Sequence, residues 1–120
     1  MGTKGLGDRG EELAVRHLRR LGYRIVERNY RCRLGEIDCV AIQGGTLVFC
    51  EVKTRRSDVY GGPLEAVDGR KRRKMTRLAQ HYVAAKGLDG VAQRFDVVAV
   101  WVGSGGARVE VYPDAFEAEE

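Results

Sequence analysis

The sequence has no apolar run of about 18 residues or more, so no segment of it reads as a membrane-crossing helix. The opening "MGTKGLGDRGEELA" lacks the apolar stretch of a signal peptide, and Leu6 stands where a myristoylation pattern needs Ser or Thr. A cytoplasmic protein with no membrane partner is expected. The three cysteines, Cys32, Cys39 and Cys50, are odd in number and form no C-x-x-C, which argues against a disulfide framework and against a structural zinc site. Free thiols, buried or half-buried, are expected. Internal repeats are absent, and no stretch has the composition of an interdomain linker.

What is present suits one domain of 120 residues with a single core. Residues 1–113 form the expected body, and the acidic stretch 114–120, "DAFEAEE", is expected to fray. Lys and Arg number 21 against 17 Asp and Glu. Because several of those acids sit in the tail, the body is more basic than the net +4, and a polyanionic partner follows as an expectation.

Apolar residues at helical spacing from Leu6 to Leu21, namely Leu13, Ala14, Leu18 and Leu21, predict a first helix with Asp8 as cap and Gly22 as stop. Tyr23, Ile25 and Val26 predict a strand. "GEIDCVAI" and "TLVFCEVKT" flank Gly44-Gly45, a strong hairpin signal. "RRSDVYGGP" reads as a loop, followed by a second helix from about Leu64 or Asp68 to Lys86, with Met75, Leu78, Ala79, Tyr82 and Val83 as its stripe and Gly87 as its end. "RFDVVAVWV" and "ARVEVYP" are two further strands around the turn "GSGG". The order α-β-β-β-α-β-β, with a helical crossover between the third and fourth strands, predicts an α/β sandwich around a mixed five-stranded sheet flanked by helices.

The hairpin carries the chemistry. With Gly44-Gly45 as a two-residue loop, paired residues have numbers summing to 89, so Cys39 faces Cys50, Asp38 faces Glu51 and Glu36 faces Lys53. Two carboxylates directly opposed in otherwise apolar strands repel, and need a cation between them. Lys53, an arginine from elsewhere, or a bound metal could supply it. Oxygen ligands without a histidine or thiolate cluster suit a hard ion such as Mg²⁺, which is held by one or two carboxylates and a substrate phosphate. An ion-pair ladder at a sheet end is the plainer alternative, weakened because three carboxylates face one lysine.

The run "GRKRRKMTR" places Arg70, Lys71, Arg72, Arg73, Lys74 and Arg77 at the start of the second helix. Positive charge there opposes the helix dipole, so phosphate binding is the expectation, with Arg55 and Arg56 adding to the same surface, and a solvated face whose Arg stems cover apolar surface is the plainer alternative. No aromatic residue interleaves with the run, and Tyr60 in the loop is the nearest one in sequence.

The segments "GDRGEELA", "GYRIVERNYRCRLGEIDCVA", "LVFCEVKTRRS", "YGGPLEAVDGRKRRK" and "RFDVVAV" closely resemble the YraN family of small bacterial proteins. Through it they resemble archaeal Holliday-junction resolvases and the PD-(D/E)xK nucleases with a restriction-endonuclease-like fold. The resemblance implies that Asp38 is the second-strand acid and that Glu51, Val52 and Lys53 are the E-x-K element. It also implies that Glu11, rather than the neighbouring Glu12, is the acid brought by the first helix. Ile37 replaces the proline of the motif. The implied activity is Mg²⁺- or Mn²⁺-dependent cleavage of DNA more than RNA, branched DNA included. Asp38, Glu51 and Glu11 are then the metal ligands, Lys53 assists water attack, and a homodimer is the assembly that resolvases adopt. A nucleic-acid-binding module that does not cut, and a protein-binding adaptor, are the alternatives.

Overall fold

The computed structural model describes residues 2–56 and 67–119, with side chains from residue 5 onward. The elements are α1 (Gly2–Arg20), β1 (Arg24–Cys32), β2 (Gly35–Gln43), β3 (Thr46–Arg56), α2 (Gly69–Lys86), β4 (Gln93–Gly103) and β5 (Gly106–Phe116). The α-β-β-β-α-β-β order and the mixed five-stranded sheet are as expected. The strands lie in the order β1-β2-β3-β4-β5, all neighbours antiparallel except β3 and β4, which α2 connects in parallel. Residues 57–66, which include Tyr60, Leu64 and most of the expected loop, lie outside the described residues.

Alternation along the strands sorts side chains onto two helices. Ala14, Val15 and Leu18 of α1 pack on Cys39, Ala41, Val48, Cys50, Val98 and Val100. On the opposite face, Met75, Leu78, Ala79, Tyr82 and Val83 of α2 pack on Val40, Leu47, Phe49 and Phe95. All five expected α2 stripe residues are buried, Asp68 caps the helix by accepting from Lys71 N at 3.0 Å, and Gly87 closes it with φ of 67°. The first helix differs from expectation. It begins at Gly2, so Asp8 lies inside it, because the i, i+4 row of Gly10, Ala14 and Leu18 runs back to Leu6. Leu21, beyond the helix end, is 51% exposed, and Val15 is buried instead.

Residues 114–119, expected to fray, lie against the body. β5 runs on to Phe116, which stacks on Phe95, and Glu119 pairs with Arg72 while its N–H donates to Thr76 Oγ1. A bulge between the Phe95 and Val97 pairings makes this continuation work. Asp114, at φ of 51°, turns its N–H onto the buried Asp96 carboxylate at 2.9 Å.

Candidate metal and nucleic-acid site

Gly44 and Gly45 both have positive φ, 56° and 84°, as a two-residue hairpin turn of the right hand requires. The β2–β3 pairing follows the expected sum of 89 from Gln43–Thr46 to Cys39–Cys50. There the ladder stops, and the expected opposition of Asp38 to Glu51 and of Glu36 to Lys53 is not realised. Instead β2 continues alone with β1, through Tyr30–Ile37 and Arg31–Glu36. β3 continues with β4, through Glu51–Val97 to Arg56–Val102. The sheet forks at Asp38.

The fork is visible in the packing. Ile37 and Cys39, two residues apart, would share a face in a regular strand, yet Ile37 joins the α2 side of the core and Cys39 the α1 side. Across from Asp38, Asn29 adopts φ of 53°, a left-handed conformation that asparagine accepts more readily than most residues. Asp38 Oδ2 accepts from Val52 N at 2.8 Å, so the carboxylate replaces the missing backbone acceptor at the fork.

Four carboxylates and two ammonium groups converge there. Asn29 Nδ2 donates to Glu11 Oε1 and Glu36 Oε1, both at 2.8 Å. Carboxylate oxygens of Glu11, Glu36 and Asp38 all lie within 4.8 Å of one another. Glu51, only 6% exposed, accepts from Lys53 Nζ at 3.2 Å and from Lys71 Nζ at 2.9 Å. Glu11, Asp38, Glu51, Lys53 and Arg55 line one cleft of about 350 Å³. Burial, then the neighbouring Glu51, push the Asp38 carboxyl up to about 7 against the bond from Val52 N, with Glu11 and Glu36 adding to the rise. Burial disfavours the Lys71 ammonium, but Glu51 and Asp38 together hold its pKa above the ordinary lysine value.

The structure thus brings Glu11, Asp38, Glu51 and Lys53 together and adds residues that pattern reading did not assign. Glu36 joins Glu11 and Asp38 in the acidic group, while Glu51 is held by the two lysines. Asn29 bridges two of the acids, and its one sequence signal is an asparagine inside a strand, where that residue is depleted. Glu12 points elsewhere, to Arg28 at 3.1 Å and Arg16 at 3.6 Å, because one residue turns a helix by about 100°. Glu11 comes this close because Gly10 is buried against Thr54 of β3, where a Cβ would collide with the Thr54 side chain.

The basic run divides by helical phase. Arg70, Arg73, Lys74 and Arg77, at i, i+3, i+4 and i+7, line a groove of about 270 Å³ with Leu34. Lys71 turns into the acidic cleft. Arg72 is occupied by Val67 O at 2.9 Å and by Glu119, so of the six expected phosphate contacts these two have other partners.

The residues fit a divalent cation by donor chemistry. Three hard oxygen donors crowd a half-buried point where burial and neighbouring carboxylates push the Asp38 carboxyl up, and such crowding is what a Mg²⁺ or Mn²⁺ ion relieves.

An α/β domain with an acidic cleft at a forked mixed sheet is therefore the class that fold and site define. Residues 10–100 match the model of the uncharacterised protein family UPF0102, and the chain belongs to that family. It is similar to a UPF0102 protein of Moorella thermoacetica, 54% identical over 92% of this chain and 93% of the relative. A UPF0102 protein of Syntrophus aciditrophicus is 50% identical over 92% and 87%, and one of Geobacter sulfurreducens 50% identical over 96% and 91%.

Proposed function

We propose that this protein is a Mg²⁺- or Mn²⁺-dependent nuclease of the restriction-endonuclease-like kind that hydrolyses DNA, branched DNA included, in the cytoplasm. The observation that carries the reading is the grouping of Glu11, Glu36 and Asp38 within 4.8 Å beside the Glu51–Lys53 pair. Glu11, Glu36 and Asp38 would hold the cation, with Glu51 beside them. When bound, it would supply Lewis-acid polarisation of the phosphodiester. Lys53, anchored on Glu51 at the cleft wall, would donate to the phosphate oxygens and orient the attacking water. Arg55 and the groove of Arg70, Arg73, Lys74 and Arg77 would hold the flanking backbone. The resolvase resemblance adds a homodimer to the proposal.

The test is cleavage of single-stranded, duplex, flap and four-way-junction DNA, with an RNA arm, in Mg²⁺ and in Mn²⁺. Metal-dependent product that disappears in Glu51→Ala supports the reading. A second reading, binding without cleavage, draws on the two lysines that neutralise Glu51. Tight binding with no product on any substrate would select it.

The groove has its own expectation. Reversing Arg73 and Lys74 to Glu should weaken binding to every sequence alike and flatten its salt dependence by roughly two charge contacts. Unchanged affinity and slope would make that helix face a solvated one.

A further inference from the structure

The single tryptophan of the chain lies next to this cleft, brought there by the parallel β3–β4 pairing. Arg55, which lines the cleft, is the ladder partner of Trp101 on β4, and Trp101 is in turn the partner of Arg108 on β5. Val100, Val102, Val109 and Val111 face the α1 core, so alternation sets Trp101 and Arg108 on the opposite face, with Glu51, Lys53 and Arg55. Trp101 belongs to neither core cluster and is half-buried. The Arg108 guanidinium lies over the indole ring, 4.1 Å from its centroid, on a side chain 65% exposed. The pair therefore joins an aromatic ring to an exposed cation.

Its position matches one nucleotide step from the reacting group. Trp101 is one strand over and two residues along from Lys53, roughly 8 Å from it by strand spacing and rise. Arginine and aromatic planes take bases by stacking, whatever their sequence, whenever those bases are out of a duplex.

We propose that Trp101 and Arg108 form a stacking platform for an unpaired base of the nucleic acid held at the carboxylate cleft, with Arg55 on the intervening phosphate. This rests on the nucleic-acid reading above and deepens it, since it makes the substrate a structure with an unpaired nucleotide, such as a flap, fork or frayed junction arm, rather than a blunt duplex. Glu110 lies 3.9 Å from Arg108 and accepts from Tyr112 OH at 2.6 Å, so one acid shares this surface. The plainer role for the pair is a cation–π contact that ties the end of the β4–β5 hairpin.

Because the chain has one tryptophan, its own fluorescence reports on the platform. Flap DNA and a blunt duplex of equal length are titrated in EDTA, so that nothing is cut, while electrophoretic mobility scores binding independently. Flap DNA is expected to quench the emission and the duplex to leave it unchanged. Trp101→Leu should lose about tenfold in flap affinity, with little change for the duplex. Trp101→Phe should stay within a few-fold of the parent, and all three proteins should give the same circular dichroism. Binding of both DNAs with unquenched emission, or equal loss on both in Trp101→Leu, would overturn the platform while leaving nucleic-acid binding intact. Absence of any mobility shift removes both.

Discussion

Replacing Asp38 with asparagine is expected to raise the melting temperature of the metal-free protein at pH 8 by about 5 °C or more, and to abolish both metal-induced stabilisation and cleavage. Asp38 has a folded pKa of about 7 against an ordinary value of 3.8, because burial and then the charge of Glu51 oppose its ionisation. Between those values the folded state keeps a proton that the unfolded chain has lost. Stability therefore falls as pH rises from about 4 to about 7 and is lowest above that window. The penalty is on the order of 2 to 4 kcal/mol. Asparagine carries no charge and keeps an oxygen for the Val52 N–H, so it escapes the penalty without orphaning the donor. The two melting curves should converge near pH 4 and separate as pH rises. Millimolar Mg²⁺ or Mn²⁺ should raise the melting temperature of the parent protein by binding the folded state, and leave Asp38→Asn unmoved. Should the substitution instead destabilise the protein at pH 8, with the parent indifferent to metal, the acids are a structural ion-pair network and the nuclease reading falls.

Asp96 is the counter-example, a fully buried acid whose loss should strongly destabilise the protein. Its carboxylate accepts from Tyr23 OH at 2.7 Å, Arg94 Nε at 2.8 Å, Arg94 Nη2 at 3.0 Å and Asp114 N at 2.9 Å. Burial and the Asp96 charge raise the Tyr23 pKa, so the phenol stays a donor, and the hydrogen bond to Asp96 keeps Arg94 charged. In Asp96→Ala these donors lose their acceptor together, and Arg94 is left with Gln43 and Tyr23 as its partners among the described residues. The expected cost is about 3 to 5 kcal/mol, a large part of a typical domain's stability of about 5 to 15 kcal/mol. Denaturant midpoints measure it. Asp96→Asn should be destabilised too, because an amide cannot accept from all four donors. The two asparagine variants thus move in opposite directions, and that opposition separates a residue held apart by like charges from one held in place by donors. A destabilisation of less than about 1 kcal/mol in Asp96→Ala would contradict the network's assigned weight.

Much of the molecule follows from local pattern alone. The two-residue turn at Gly44-Gly45 determined the hairpin register as far as Cys39 and Cys50, because turn type and loop length fix which residues pair. A period near 3.6 determined the buried stripe of α2, because one face of the helix had to be apolar, and Gly87 its end. The hairpin placed Asp38, Glu51 and Lys53 near one another, so the centre of the candidate site was legible before any coordinates. Periodicity states which way a side chain faces while a ladder lasts. It does not state where the ladder ends, which depends on β1 and β4 drawing β2 and β3 apart, a contest between strands distant in sequence. Tertiary structure alone therefore decided the fork at Asp38, the left-handed turn of Asn29 onto Glu11 and Glu36, and the approach of Lys71 to Glu51. It likewise set Trp101 beside Arg55 and bound the acidic tail to α2, since each of these joins elements whose proximity no local spacing encodes.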